Sequence, residues 1–372
     1  MKLTDLSENI NEWFNGSGPQ ADIVISSRVR LARNLAGYKF LSRCSIEEKQ
    51  SILERLRDVI LGLDLGDEIS YVSVDKSSTL DRNFLVERHL ISRNHAFGKG
   101  PRGVIIARHE FFTAMINEED HLRMQVLRGG FQLGECYKQI DRIDDMVERE
   151  VDYAFSERYG YLTACPTNVG TGIRVSVMLH LPALKMIGEI DKFLNAARAM
   201  NLAVRGLFGE GSEAAGDFYQ LSNQATLGVA ERDVIERFEK VIVPEIVEYE
   251  NAARKYMLNK QIEVLDDKVS RALALLQNAN LISSQEALTL LSHLRLGLNM
   301  KSKFGASTPA IERLSKLRIS RESSEMISIR TINKLFMMTL PAHLQINYGK
   351  SLDATHRDAL RAQLIRSTLG QQ

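Results

Sequence analysis

The stretch of sequence that decides the fold is CPTNVGTGIR at residues 165–174, which has a cysteine at its head and an arginine at its end. Proline, asparagine and two glycines are typical of a loop built from tight turns. A cysteine and an arginine framing such a loop favour a binding or catalytic segment. Free cysteine also behaves as a small apolar residue, so a buried and inert Cys165 is the alternative interpretation.

Upstream, the run SSRVR at residues 26–30 alternates like a β-strand. On a strand, Ser26, Arg28 and Arg30 share one face. Two like charges on that face repel each other unless an anion lies between them, and a guanidinium binds phosphate oxygens in a bidentate manner. A solvated edge strand is the alternative, and this feature alone favours it.

An acidic run, NEEDHLR at residues 117–123, precedes another alternating segment. Its three consecutive acids are compatible with a turn that has a solvated tip. They are equally compatible with a carboxylate cluster beside an anion-binding arginine, Arg123.

A glycine-spaced loop, VRGLFGEGSE at residues 204–213, follows a predicted strand and carries two carboxylates. A surface hairpin is one interpretation of this pattern. The functional interpretation is a loop that delivers Glu210 to a substrate.

Several common signatures are absent from the sequence. There is no GxxxxGK[ST] phosphate-binding loop, no HExxH and no paired CxxC. The triplet His356-Arg357-Asp358 mimics a kinase catalytic loop, but Gln363 stands where that motif requires asparagine and no DFG follows. We therefore expect neither a P-loop nor a protein-held metal, and we treat the triplet as a decoy.

The charge balance bears on partners and location. The 372 residues contain 48 Lys+Arg and 47 Asp+Glu, a net charge of +1, which argues against binding nucleic acid through bulk basicity. Three widely spaced cysteines suit a reducing compartment. The N-terminus lacks a signal peptide, and no segment has the roughly 18 uninterrupted apolar residues of a membrane span. We expect a cytoplasmic protein with no membrane partner.

The organisation changes along the chain, because mixed strands and helices give way to helical periodicity from about Glu231 onward. The sequence therefore predicts an α+β domain over residues 1–258 and an all-helical domain over residues 259–372. The main predicted elements are strands at 22–31, 102–108, 121–127 and 202–208 and helices at 132–157 and 184–200, with helix starts at Ser283–Glu286 and Thr355–Asp358.

The four motifs SSRVR, NEEDHLR, CPTNVGTGIR and VRGLFGEGSEA…YQLSN occur in the same order as in the phosphagen (guanidino) kinases, which this chain resembles over residues 20–230. The resemblance implies an antiparallel sheet flanked by helices. It also implies phosphoryl transfer from ATP, with Mg²⁺ held by the nucleotide, to a guanidinium nitrogen.

The resemblance assigns roles position by position. Glu119 and Glu210 would grip the guanidinium, one of them as general base, and Cys165 would lie against it as a thiolate. No residue is assigned to a metal. The positions that would bind the nucleotide are Ser26, Arg28, Arg30, Arg123, Arg174 and Arg205.

The chain departs from the small-molecule members of that family. Only 25 residues precede Ser26, where those enzymes carry a helical domain that closes over the substrate. Met178 stands where the family often has histidine, Gly211-Ser212 replaces His-Thr, and Phe208 replaces an arginine. An active site without this lid would admit an arginine side chain displayed on a protein.

The added helical region makes the chain similar to the bacterial protein-arginine kinases. Its RDALRA run at residues 357–362 resembles their RDxxRA motif, which implies an allosteric phosphoarginine site formed by Arg357, Asp358 and Arg361. Arg357 and Arg361 are four residues apart and share a helix face, so a bound anion would relieve their repulsion. A solvated face with one local ion pair is the alternative.

Three functions follow as hypotheses. The first is a protein-arginine kinase acting on proteins with exposed arginines, marking them for Clp-type proteolysis and regulating the stress response. For this hypothesis the resemblance implies an activator of the McsA type, a ClpC-type unfoldase and a homodimer or higher oligomer. The second is a small-molecule guanidino kinase, and the third is a non-catalytic phosphoarginine reader or adaptor.

Overall fold

The fold is built on one antiparallel sheet. The computed structural model describes residues 6–7, 11–207, 215–319, 325–349 and 351–370. Within them the strands are β1 (Val24–Arg33), β2 (Ile69–Ser73), β3 (Gly103–Ala107), β4 (Phe112–Ile116), β5 (Leu122–Gly129), β6 (Phe155–Ser156), β7 (Gly160–Tyr161), β8 (Ile173–His180), β9 (Leu202–Arg205) and β10 (Phe218–Asn223). Eight of these described strands form a sheet in the order β2-β3-β4-β5-β1-β8-β10-β9, and β6 and β7 form a separate hairpin.

Strand β1 lies inside the sheet, between β5 and β8. Val29 and Leu31 are almost completely buried in the core, as expected for one face of an alternating strand. Arg28 and Arg30 therefore point to the opposite face. The predicted strand at 22–31 is confirmed, whereas a solvated edge strand is wrong, because β1 has a neighbour on both sides.

The helices surround the sheet and continue into the C-terminal region. They are α1 (Ile46–Leu61), α2 (Thr79–Glu87), α3 (Arg93–Phe97), α4 (Leu133–Glu148), α5 (Pro182–Met186), α6 (Ile190–Ala199), α7 (Glu231–Arg237), α8 (Val243–Lys260), α9 (Ile262–Asn278), α10 (Ser284–Phe304), α11 (Pro309–Ser315), α12 (Ile329–Met338), α13 (Pro341–Asn347) and α14 (Ala354–Thr368). The predicted α+β class, with a helical C-terminal region, is confirmed.

Two predicted helices differ from the observed ones. The helix expected at 184–200 is two helices, because Gly188 between them has a left-handed φ of 79°. The helix expected at 132–157 ends at Glu148. Beyond it the chain pairs with the segment after β1, where Ala36 N–H donates to Asp152 O and Ala154 N–H donates to Asn34 O. Because these backbone groups bond to the segment after β1, residues 152–154 are not helical.

The C-terminal helices pack against the same hydrophobic core as the sheet. Helix α10 begins as predicted, with the Ser283 hydroxyl accepting a bond from Glu286 N–H at 3.2 Å. Helices α8 and α9 are separated only by Gln261, close to the predicted division after residue 258, and that division stays a prediction. No helix in the described part of the chain is long and apolar enough to span a membrane.

Candidate active site

Five arginines from four strands line one cavity of about 650 Å³. Arg28 and Arg30 come from β1, and Arg30 lies directly opposite Arg174 of β8. Arg123 is on β5, and Arg205 is at the end of β9. Side chains alternate along a strand, so neighbouring strands in this register bring arginines from distant parts of the sequence onto one face.

The arginine cluster carries a strong mutual repulsion. Burial, together with the charges of Arg123, Arg174 and Arg205, lowers the pKa of Arg28 to about 9. The pKa of Arg30 is lowered well below its usual range by burial and the same neighbours. Arg30 is only 8% exposed, and its Nε and Nη2 atoms have no hydrogen-bond partner among the described residues. Buried donors that lack acceptors, in a cavity lined by positive charge, are suited to bind the oxygen atoms of a polyphosphate.

Two serines set the orientation of the cluster. Arg28 Nε donates to the Ser176 hydroxyl at 3.1 Å, and Arg174 Nη2 donates to the Ser222 hydroxyl at 3.1 Å. Both serines are buried on the same sheet. The serine hydroxyls are neutral acceptors, so these two bonds orient the guanidinium groups without changing their charge.

The first acid of the NEED run has a structural role. Glu118 accepts hydrogen bonds from Arg123 Nη1 at 2.9 Å and from the Ser92 hydroxyl at 2.5 Å. Burial raises the pKa of this carboxyl, but the charge and hydrogen bond of Arg123 outweigh burial and lower the pKa to about 2. Glu118 therefore stays ionised and fixes Arg123 at the wall of the cavity.

The other two acids point in different directions. Glu119 is exposed and lines the cavity next to the arginines. Asp120 is buried, and its Oδ1 accepts bonds from Asn34 Nδ2 and from Ala164 N–H, both at 2.6 Å. Asp120 thereby ties the acidic turn to the segment that carries Cys165. Of the three acids, Glu119 alone presents an exposed carboxylate to the cavity.

The CPTN loop also lines the cavity. Cys165 is half-buried, lines the cavity and has its Sγ 3.0 Å from the Thr167 hydroxyl. The Thr226 hydroxyl donates to the carbonyl oxygens of Thr167 and Val169, both at 2.8 Å. Gly170 has a φ of 111°, and a Cβ there would lie 2.5 Å from Thr226 O. The glycine is required because the loop is drawn against residue 226.

One cavity residue was missed by the sequence analysis. His89 follows α2 with a left-handed φ of 60° and lines the cavity. Burial, then the charges of Arg28 and Arg30, lower its pKa to about 3, so the ring is neutral at physiological pH. A single histidine in the run LVERHL has no spacing that marks it, and only the fold brings it to the arginines.

Of the other predicted residues, Ser26 is not among those that line this cavity, and Glu210 lies outside the described residues. Ser26 is buried on β1 and borders a separate, much smaller cavity beside Arg28. Glu210 lies outside the described residues, as do Phe208, Gly211 and Ser212. Their predicted roles stay predictions.

The RDALRA residues lie on α14 rather than at the cavity. Arg361 is 1% exposed and donates to Thr339 O and Ile282 O, both at 2.7 Å, and to Asp358 at 2.5 Å. Arg357 donates to Leu352 O at 2.6 Å. The local ion pair of the alternative interpretation is therefore present, but a solvated face is wrong for Arg361, which is buried. The phosphoarginine role stays a prediction.

Comparisons with known proteins agree with this geometry. A sequence profile of the ATP:guanido phosphotransferase C-terminal catalytic domain matches residues 51–253. A profile of the protein-arginine kinase McsB C-terminal domain matches residues 262–304 and 300–372. The chain is 41% identical to a protein-arginine kinase of Halothermothrix orenii over 99% of both chains. It is 39% identical to one of Bacillus pumilus, over 98% of this chain and 94% of that protein.

Solved structures give the same fold. A lombricine kinase superposes with a TM-score of 0.56 at 26% identity, covering 66% of this chain and 70% of that one. The duplicated taurocyamine kinase from Schistosoma mansoni, with bound transition state analog components, gives 0.58 at 27% identity, covering 63% and 34%. The arginine cavity, the matched profiles and the full-length identity lead to one conclusion. The chain belongs to the protein-arginine kinase family of ATP:guanido phosphotransferases.

Proposed function

We propose that this chain is an ATP-dependent protein-arginine kinase, which transfers the γ-phosphoryl group to arginine side chains of proteins. The observation that carries the proposal is the convergence of five arginines, Glu119 and Cys165 on one cavity. Relatives that match nearly the whole chain bear the name protein-arginine kinase. The solved structures of a lombricine kinase and of taurocyamine kinases match 63–76% of it.

The arginine cluster would bind the ATP phosphates. Its buried, unpartnered Arg30 atoms supply donors that a phosphate oxygen satisfies, as side chains must do where there is no P-loop. Mg²⁺ would neutralise developing charge while held mainly by the phosphates. This fits the cavity, because Glu118 is already occupied by Arg123 and Ser92, and few carboxylates remain for the metal.

Glu119 would orient the substrate guanidinium and draw off its proton, with Glu210 as a second carboxylate. A protonated guanidinium is a poor nucleophile, so proton removal must accompany attack. The new bond joins a guanidino nitrogen to the γ-phosphorus, the bond from that phosphorus to the β,γ-bridging oxygen breaks, and a carboxylate takes the proton. Cys165 would flank the guanidinium, and Ser26 would support the nucleotide side next to Arg28.

The cellular setting extends this proposal. The match of residues 262–304 and 300–372 to the McsB C-terminal domain supports a regulatory region. In it, Arg357, Asp358 and Arg361 would recognise phosphoarginine and couple feedback to a homodimer or higher oligomer. The kinase would act in the cytoplasm with an activator of the McsA type. Its products would be delivered to a ClpC-type unfoldase, which links the activity to stress response and protein degradation.

The test is phosphate transfer from labelled ATP to an arginine-rich unfolded protein, followed by acid treatment. N–P bonds hydrolyse in acid, whereas phosphoserine esters survive. We expect acid-labile label on the protein that is lost in Glu119→Gln and retained in Glu150→Gln, a change at an exposed carboxylate on the turn after α4. Label on free arginine alone would favour a small-molecule guanidino kinase. No transfer, with retained binding to phosphoarginine proteins, would favour a reader.

A further inference from the structure

A second cavity, of about 540 Å³, lies between the sheet-side helices α2 and α3 and the C-terminal helices α10 and α13. We infer that this groove binds the extended polypeptide on one side of the target arginine, so that the C-terminal helices supply one wall of the protein-substrate site. The inference rests on the proposed function and deepens it. The groove residues that carry it are Val86, Arg93, Phe97, Gln285, Leu288 and Leu340.

The groove adjoins the candidate active site. Val86 and Arg93 line both cavities, so the two cavities share a boundary at α2 and α3. The two cavities meet near Glu119, the residue proposed to bind the guanidinium. Ser92, which precedes Arg93, donates to Glu118, and Glu119 is the next residue in the chain. A polypeptide whose arginine reaches Glu119 therefore leaves the cavity beside Arg93.

The chemistry of the groove suits a polypeptide in extended conformation. The side chain of Phe97 is exposed and offers apolar surface, whereas Leu288 and Leu340, which also line the groove, are buried in the core. Side-chain amides of Asn83 and Gln285 lie among them and match the donors and acceptors of an extended backbone.

The charge of the groove argues against an anionic ligand. Among its lining residues, Arg93 is the basic group and Glu87 the acidic one. The carboxylate of Glu87 already has structural partners, because it accepts hydrogen bonds from the N–H groups of Ala342 at 2.8 Å and His343 at 3.0 Å. These bonds tie α2 to the start of α13 and fix the two walls of the groove relative to each other. A balanced, largely apolar groove fits unfolded protein better than phosphate or nucleic acid.

Phe97→Ala tests the inference, because the Phe97 side chain is 56% exposed and its removal leaves the core intact. Phe155→Ala is the matched control, since Phe155 is 59% exposed on the β6–β7 hairpin and lines a different cavity. Transfer is measured with an arginine-containing unfolded protein and with N-acetylarginine amide. Loss of one buried aromatic contact predicts a roughly tenfold rise in KM for the protein. KM for the small guanidine and for ATP stays within about twofold, and Phe97→Leu recovers much of the loss.

Binding without ATP separates failure of the groove from failure of the proposed function. Fluorescence anisotropy of a labelled unfolded arginine-containing peptide is expected to give a weaker Kd for Phe97→Ala than for Phe155→Ala. Equal binding by the two variants, or an equal rise of KM for protein and small guanidine, would overturn the groove even in an active kinase. Absence of transfer to every guanidine, with Phe97-dependent peptide binding, would instead overturn the kinase and retain the groove.

Discussion

Two groups of buried arginines in this molecule have opposite surroundings. At the junction of the sheet with the C-terminal helices, Arg254 is fully buried and donates to Glu250 at 2.9 Å and to the Asp22 carboxylate at 2.8 Å. Arg295, equally buried, donates to the Asn333 side chain at 3.0 Å and to Ala21 O at 2.6 Å. In the sheet cavity, Arg30 keeps two buried nitrogen atoms without a partner among the described residues.

This comparison shows that burial alone does not reveal what an arginine does. A buried guanidinium whose donors meet acceptors of the protein holds elements together. Arg30 keeps donors without a partner among the described residues and faces other arginines, so a bound anion would relieve the repulsion of the empty site. Paired buried arginines stabilise the contact between the sheet and the C-terminal helices, whereas the arginines of the cavity repel one another.

The largest expected effect is on catalysis, in Arg30→Met. Removal of one phosphate-facing arginine is expected to lower kcat/KM for phosphoryl transfer by roughly a thousandfold or more. The free energy of unfolding should stay the same or rise, because a repelling charge is removed from the cluster. Steady-state kinetics and urea unfolding check both parts. A large loss of stability would place Arg30 with the structural arginines.

Arg254→Met is expected to affect stability, where Arg30→Met is expected to affect catalysis. It leaves the Glu250 carboxylate fully buried without its ion-pair partner, so we expect unfolding to become easier by about 3–5 kcal/mol. The control is Arg271→Met, whose ion pair with Asp267 is exposed and contributes about 0–1 kcal/mol. Urea unfolding of both variants measures the difference. Equal stabilities for the two variants would contradict the distinction between the two arginine groups.

The adjacent carboxylates Glu118 and Glu119 extend the comparison to acids. The folded-state pKa of Glu118 is about 2 against an ordinary 4.5, a stabilisation of about 3 kcal/mol that is present above pH 4.5 and lost as the pH falls toward 2. Glu118→Gln should therefore lower stability at pH 7, and its difference from the unsubstituted protein should shrink in acid. Glu119→Gln should lower the free energy of unfolding by less than Glu118→Gln does, because the Glu119 side chain is exposed, and it should reduce transfer. Unfolding curves at pH 7 and pH 3 decide whether the two acids differ.

The sequence predicted the residue types of the site but not the partners that give each residue its role. Alternation placed Arg28 and Arg30 on one face, and the family motifs identified Arg123, Arg174 and Arg205. The register that sets Arg30 opposite Arg174 depends on strand order, which no local pattern encodes.

The acidic run at residues 117–123 shows even more clearly that the sequence does not predict which partners a side chain has. Glu118, Glu119 and Asp120 look alike in sequence, yet one holds Arg123, one faces the cavity and one anchors the cysteine loop. His89 was missed for the same reason, because its neighbours in space are far away in sequence. The paired state of Arg361 likewise depends on Thr339 O and Ile282 O, which are carbonyl oxygens of other segments.

The smallest effect tests whether the strained cluster is an anion site without any chemistry. Tripolyphosphate at ten times its Kd is expected to raise the free energy of unfolding by about 1.4 kcal/mol, because it binds only the folded state. The gain should vanish in Arg30→Met, which lacks part of the cluster. It should persist in Arg357→Met, since Arg357 lies on α14 and donates to Leu352 O. Thermal unfolding with and without the ligand measures it. Stabilisation that survives Arg30→Met and disappears in Arg357→Met would move the anion site to α14, and the unpartnered donors of Arg30 would then need another explanation.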